Sequence, residues 1–256
     1  MTPRHDFHIH TKYLGCANET MEVQPVIDAW RAAGVTCMGF TDHLNRADQL
    51  TSHRRILADI RAAATDIPVH FGVELNFTGP DEGFVWSPDI KGEYGFQYAI
   101  GGIHSTYLEQ FDAGKVIEIQ HRHHLAVCAN GLVDALVHPW WFSTHEFRQK
   151  GFPDFGTVGR VPEKLTRELA AAAVETDTAI EINGGANIQG RSEDYRSAYL
   201  DYLSILAEEG VTFLLASDAH AIGHAGWLTL AWEMAEKLHL PEDRFWRPSS
   251  RPIAGD

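Results

Sequence analysis

The chain has 256 residues, enough for one large domain or two small ones. Its formal charge of −14 opposes non-specific nucleic-acid binding, in which Lys and Arg displace counterions from phosphates, so no stable nucleic-acid partner is expected. An apolar fraction of 44% supplies a core that needs no metal or disulfide to hold it, and the outlier is histidine, with 15 copies.

Cys16, Cys37 and Cys128 are odd in number and far apart. They suggest no disulfide framework and point to a reducing cytoplasm. The segment from Met1 to Asp6 has no apolar signal region, and no run of 18 apolar residues follows, so no membrane partner is expected.

Taken in chain order, short apolar runs alternate with amphipathic segments of helical length. Phe7 to Ile9 reads as a strand. A helix over Val23 to Ala33 places Val26, Ile27 and Trp30 on one face and stops at Gly34. Cys37 to Thr41 is the next strand, followed by a helix over His53 to Ala64 and a strand from Val69 to Leu75. Tyr98 to Ile103 is the fourth strand, and a helix near Val116 to Ala129 leads to a fifth at Ala135 to Val137.

Pro162 suits the first turn of a helix running through Val174. Thr178 to Ile182 is strand six, Tyr195 to Glu209 a helix ended by Gly210, and Val211 to Ala216 strand seven. A last helix covers Trp227 to Leu238. Seven β/α repeats predict a parallel barrel or a doubly wound sheet in one domain over 1–256. Two long segments interrupt the rhythm. Asn76 to Phe96 carries Gly79, Pro80 and Trp86, and Trp140 to Val161 carries Arg148, Lys150 and Arg160. Loops of this length usually wall or cover a site.

The histidines fall in a pattern. His8 and His10 follow strand one, Asp42 and His43 strand two, and Glu74 ends strand three. His104 follows strand four, His138 strand five, and Asp218 with His220 strand seven. The C-terminal ends of parallel barrel strands surround one mouth, so these side chains converge. In extended backbone residues i and i+2 project to the same side, so His8 pairs with His10 and Asp218 with His220. Imidazole with carboxylate suits zinc, manganese or iron, and Glu74 is placed to bridge two ions. His53, His70, His121, His123, His124 and His239 lack this placement and read mostly as surface or helix residues.

The series His8-Ile9-His10-Thr11, Thr41-Asp42-His43, Gly72-Val73-Glu74, Gly102-Ile103-His104-Ser105, His138-Pro139, Glu181-Ile182-Asn183 and Ser217-Asp218-Ala219-His220 resembles the PHP (polymerase and histidinol phosphatase) superfamily. The resemblance runs in order over nearly the whole chain. It implies a distorted (β/α)7 barrel with the metal site at the C-terminal ends of the strands. It also implies two or three divalent ions. His8, His10, Glu74 and Asp218 would hold the first, Glu74, His104 and His138 the second, and His43 and His220 the third. Related trinuclear members carry a further His or Asp five or six residues after the second His of the H-x-H motif. Here those positions are Gly15 and Cys16. Cys16 is therefore either a thiolate ligand or an ordinary loop residue.

Such a centre suits hydrolysis of a small phosphomonoester resembling histidinol phosphate or a nucleotide. Glu74, Asp218 and His220 are the candidate catalytic residues, with Asp218 or His220 nearest to a proton-transfer role. Lys12, Arg160, Arg191, Asn183, Asn187 and His224 are candidate substrate contacts. Two other readings remain open: an amidohydrolase-type enzyme cleaving C–N or ester bonds, and a metal-binding regulatory module without turnover.

Overall fold

The computed structural model describes residues 2–77, 83–142 and 145–255; Gly79 and Pro80 lie outside them. The strands are β1 (His5–Ile9), β2 (Cys37–Phe40), β3 (His43–Leu44), β4 (Val69–Asn76), β5 (Tyr98–Gly102), β6 (Ala135–Leu136), β7 (Ala179–Asn183) and β8 (Phe213–Ala216). Between and after them lie α1 (Val23–Ala32), α2 (Leu50–Ala62), α3 (Pro88–Tyr94), α4 (Ala113–Ala129), α5 (His145–Lys150), α6 (Glu163–Glu175), α7 (Glu193–Glu208) and α8 (Trp227–Lys237).

All named strand pairs are parallel, in the order β1-β2-β4-β5-β6-β7-β8, with β3 paired to β4. β2 and β3 both pair with β4, so they act as two halves of one stave interrupted at Thr41 and Asp42. The barrel closes at its mouth. The Asp218 amide donates to the His8 carbonyl (3.0 Å), the His10 amide donates to the Ala219 carbonyl (3.1 Å), and Ile9 bridges Ala219 in parallel. This is the expected seven-stave α/β barrel. The two long segments are not bare loops, because α3 and α5 lie within them.

Period-two alternation sorts each strand into an outer and an inner face. Outward residues such as Phe71, Val73 and Leu75 of β4 join the shell made by the helices, where α1 buries Val26, Ile27 and Trp30. Inward, Phe7, Tyr98, Ile100, Ala135, Val137, Ala179, Leu214 and Ala216 form a separate apolar plug. Tyr98 fills the lumen, and two glycines make room for it. A Cβ at Gly39 would lie 2.2 Å from Tyr98 Oη, and one at Gly72 would lie 2.4 Å from its Cζ. The Tyr98 hydroxyl donates to the Phe7 carbonyl across the barrel (3.0 Å). The metal-site candidates therefore stand on a packed floor rather than over a channel. Among the described residues, no helix is long and apolar enough to cross a membrane.

The remaining histidines correct the surface reading. His53, His70, His121, His123 and His124 are buried, and of the six named only His239 is exposed. Four of them do lie on helices, His53 on α2 and His121, His123 and His124 on α4. Each offers a flat, largely apolar ring that packs on aromatic neighbours: His53 meets Phe96, and His124 meets Trp140 edge-on. Burial lowers His53 to about 4 and His5, at the foot of β1, to about 3, which keeps these two rings neutral.

His5 has a stability consequence. Below pH 6.5 the unfolded chain protonates this imidazole and the folded chain does not, so stability falls with falling pH down to about 3. Replacing His5 by Leu removes this linkage. In urea unfolding at pH 7.5 and 5.5, the wild type should lose about 1.4 kcal/mol more than His5→Leu over that interval. Equal losses in the two proteins would show that His5 is not held neutral.

Candidate metal centre

The inner-face alternation that builds the floor continues upward into polar residues. Gly72 is followed by Glu74, Ile100 by Gly102 and then His104, Ala179 by Glu181 and Asn183, and Ala216 by Asp218. β1 reaches the same level through a bulge. Its register runs from Asp6 opposite Met38 to Ile9 opposite Phe40, so Phe7 and His8 together face Gly39. The bulge lets Phe7 join the floor while His8 and His10 both face the mouth. Asp6 stays outside, where it accepts from the Trp30 indole (2.6 Å). His138 and Asp218 occupy the left-handed region, with φ of +33° and +56°, an unfavourable conformation for non-glycine residues.

Glu74 is the centre of the cluster. Its Oε1 lies 3.1 Å from His104 Nε2 and 3.0 Å from His138 Nε2. Its Oε2 lies 2.7 Å from His43 Nδ1, 3.4 Å from His8 Nε2 and 3.5 Å from His10 Nε2. Asp218 Oδ1 approaches His10 Nε2 (3.3 Å), His8 Nε2 (3.5 Å) and His220 Nδ1 (3.6 Å). Among the described residues, donor atoms fall in three overlapping groups, each within 4.8 Å: His8, His10 and Glu74; His43, Glu74 and His104; and His10, Cys16, His43 and His220.

Several observations fit this donor set to divalent ions. Glu74 Oε2 lies 2.7 Å from His43 Nδ1, but the angles of this buried contact fall outside hydrogen-bond geometry, so neither atom has a well-aligned partner. Burial alone would raise the Glu74 carboxyl, but the surrounding imidazoles of His43, His8 and His104 hold it well below the usual range. Although Cys16 is exposed at the surface, crowding by protein around its sulfur opposes ionisation, yet hydrogen bonds with His10, His220 and His43 bring its thiol down to about 3.

Outer residues fix the ring tautomers. His8 Nδ1–H donates to Glu181 (2.6 Å), His104 Nδ1–H to Asn76 (3.1 Å) and His220 Nδ1–H to the Asp218 carbonyl (3.0 Å). Each bond leaves the ring's Nε2 as a bare donor, the arrangement expected around a ligated metal. Glu181 is the residue whose role the sequence concealed. It stands in a quoted motif, but nothing in the chain's spacing shows that its second oxygen accepts the His138 amide (2.6 Å) and the Asn183 side chain (2.9 Å).

The other sequence candidates separate cleanly. Asp42 does not enter the cluster. Its carboxylate accepts the Thr11 amide and hydroxyl, each at 3.0 Å, because the chain turns there between β2 and β3. Lys12 is paired with Glu22 (2.6 Å) and Glu19 (3.7 Å), beside a different cleft. Arg160 is exposed and donates to the Phe155 carbonyl. Asn183 reaches Asp218 Oδ2 (3.3 Å), Asn187 donates to the Pro139 carbonyl (3.1 Å), and His224 stacks on Trp227 while accepting the His220 amide (3.2 Å). Arg191 and Arg148 line a 400 Å³ cleft whose other walls include Trp141, Trp227, Asp218 and His220. That cleft opens onto the cluster.

Comparison with known proteins agrees with this fold. The PHP domain model matches residues 6–215. A protein of Deinococcus radiodurans named "Probable histidinol-phosphatase" is 25% identical over 89% of this chain and 90% of its own length. Among solved structures, a histidinol phosphate phosphatase from Lactococcus lactis, complexed with zinc, L-histidinol and phosphate, superposes with a TM-score of 0.63 at 15% identity. That match covers 94% of this chain and 96% of the other. A proposed histidinol phosphatase from Listeria monocytogenes gives 0.61 at 14% identity, over 87% and 97%.

If Glu181 orients His8, Glu181→Gln should weaken metal binding by about 10–100-fold while leaving the fold intact. Competition with a chromophoric chelator measures this, with circular dichroism as the folding control. Unchanged affinity would remove Glu181 from the centre's support.

Proposed function

The chain belongs to the PHP domain family, and from that premise we propose that this metal-dependent phosphoesterase cleaves a small phosphomonoester of the histidinol phosphate or nucleotide type. The observation that carries the reading is the cleft of 400 Å³ in which Arg148 and Arg191 stand beside Asp218 and His220. It pairs guanidinium groups suited to phosphate oxygens with the edge of the donor cluster. A closed structural site would hold its ligands without such an opening. This favours turnover over a regulatory module, and phosphate over an amide or neutral ester.

Two or three divalent ions bound at this donor set would supply an activated water and charge neutralisation for an in-line displacement at phosphorus. Zinc, manganese and iron all suit the mixture of imidazole and carboxylate. The ions' positive charge would exceed that of Glu74, Asp218 and Cys16 together, a surplus suited to a phosphate dianion. In this reading His8, His10, Glu74 and Asp218 hold one ion, Glu74, His104 and His138 a second, and His43 with His220 a third.

The chain's own residues account for the remaining work. Arg191, which lines the cleft, is braced by its bond to the Ala186 carbonyl (3.4 Å) and by stacking over Tyr195. Asn183 holds one Asp218 oxygen, and the Asp218 carbonyl holds His220 Nδ1, so both groups are fixed in direction at the edge of the cleft. Trp141, edge-on to His104, and Trp227 both line the cleft, whose 400 Å³ suits a small-molecule leaving group.

A panel of phosphomonoesters, amides and carboxylic esters tests the proposal on metal-loaded protein. Phosphate release should be confined to phosphomonoesters and be abolished in Glu74→Ala. Arg191→Ala should lower kcat/KM by about 10–100-fold, the loss of one charged hydrogen bond. Amide or ester hydrolysis without phosphate release would overturn the reading.

A further inference from the structure

We infer that Cys16, with His43 and His220, forms a thiolate-bearing third metal position whose preference for softer ions separates it from the other two. The inference rests on the metal-centre reading above and adds a property of this chain's own residues. At the other two positions the anionic donors are carboxylates, Glu74 and Asp218; here the anion would be a sulfur.

The geometry is specific. Cys16 Sγ lies 3.8 Å from His10 Nδ1 and shares one donor group with His10, His43 and His220. His10 directs its Nε2 toward Asp218 and Glu74, so its Nδ1 is the face left for Cys16. That nitrogen steadies the sulfur by a hydrogen bond while His43 and His220 complete the ligand set. The Asp218 carbonyl holds His220 Nδ1, which leaves Nε2 free for an ion.

The loop carrying Cys16 is tied to both partner ligands. At its root, Thr11 bonds Asp42, the residue preceding His43. Beyond Cys16, the Asn18 amide donates to the His220 carbonyl (3.0 Å), and Thr20 Oγ1 accepts the Ile222 amide (3.3 Å). Gly15, at φ +76°, supplies the left-handed turn that ends the short helical turn over Lys12–Leu14 and delivers Cys16. Three strand ends therefore meet at this loop, and the side chain it presents to them is a thiol. Cys37 and Cys128 belong to no such donor group among the described residues. Thiolate favours zinc, iron(II) or cobalt(II) over magnesium and manganese(II), which prefer oxygen.

Cobalt(II) reconstitution of the full chain gives a readout independent of catalysis. The wild type should take up three ions and show a sulfur-to-cobalt charge-transfer band in the near ultraviolet. Cys16→Ser should lose that band and hold its third ion at least roughly 100-fold more weakly, while keeping the other two. Manganese(II) should fill two positions and leave the third to zinc added afterwards.

Full cobalt loading without the band would show that Cys16 only hydrogen-bonds His10, which overturns the inference. A band persisting in Cys16→Ser would assign it to another thiol, with the same result. A band in a protein that releases no phosphate would leave this site standing and sink the proposed function. Phosphate release without the band would do the reverse.

Discussion

One carboxylate governs the architecture of the mouth. Glu74 is buried at the end of β4 and meets five imidazoles, those of His8, His10, His43, His104 and His138. Burying a carboxylate without compensating charge is costly, and placing several imidazoles around it is tolerable only if their lone pairs share positive charge. Protons can supply that charge, since despite burial the carboxylates around His8, His10 and His43 raise all three imidazoles. Divalent ions would supply it too, and the rings of His8, His104 and His220, each held at Nδ1 with Nε2 bare, are arranged as ligands for them.

The rest of the fold serves to hold that cluster. The floor under it is a packed plug in which Tyr98 occupies the space above Gly39 and Gly72. The bulge in β1 raises His8 and His10 to the level of Glu74. Glu181, Asn76 and the Asp218 carbonyl then fix individual rings, so ligand direction is set before any ion arrives. The seam between β1 and β8 is made by backbone bonds at His8, His10, Asp218 and Ala219. Barrel closure and assembly of the centre are thus one event.

Much of this was legible in the chain because two simple periodicities coincide. A strand buried on both faces reads as an apolar run, and a ligand just beyond it has one place to go, the mouth of a parallel barrel. His104, His138 and Asp218 were recoverable for that reason. Asp42 was not, since adjacency to His43 does not say which side chain a break in the stave turns inward. Glu181 was hidden inside a strand, where an acidic residue gives no sign of its partner until β1 is laid beside it. The buried histidines of α2 and α4 misled because a polar letter on a helix suggests solvent, whereas a neutral imidazole packs on Phe96 or Trp140 as an aromatic ring. Lys12 and Arg160 were plausible phosphate contacts by chemistry alone, and local pairing holds them elsewhere.

The central claim is that Glu74 lies among metal ions, and anomalous X-ray scattering from crystals grown with zinc tests it most directly. The account predicts anomalous peaks at ligand distance, about 2.0–2.2 Å, from both Glu74 carboxylate oxygens and from the imidazoles around them. A well-ordered mouth with no peak beside Glu74, in crystals of zinc-loaded protein, would contradict it.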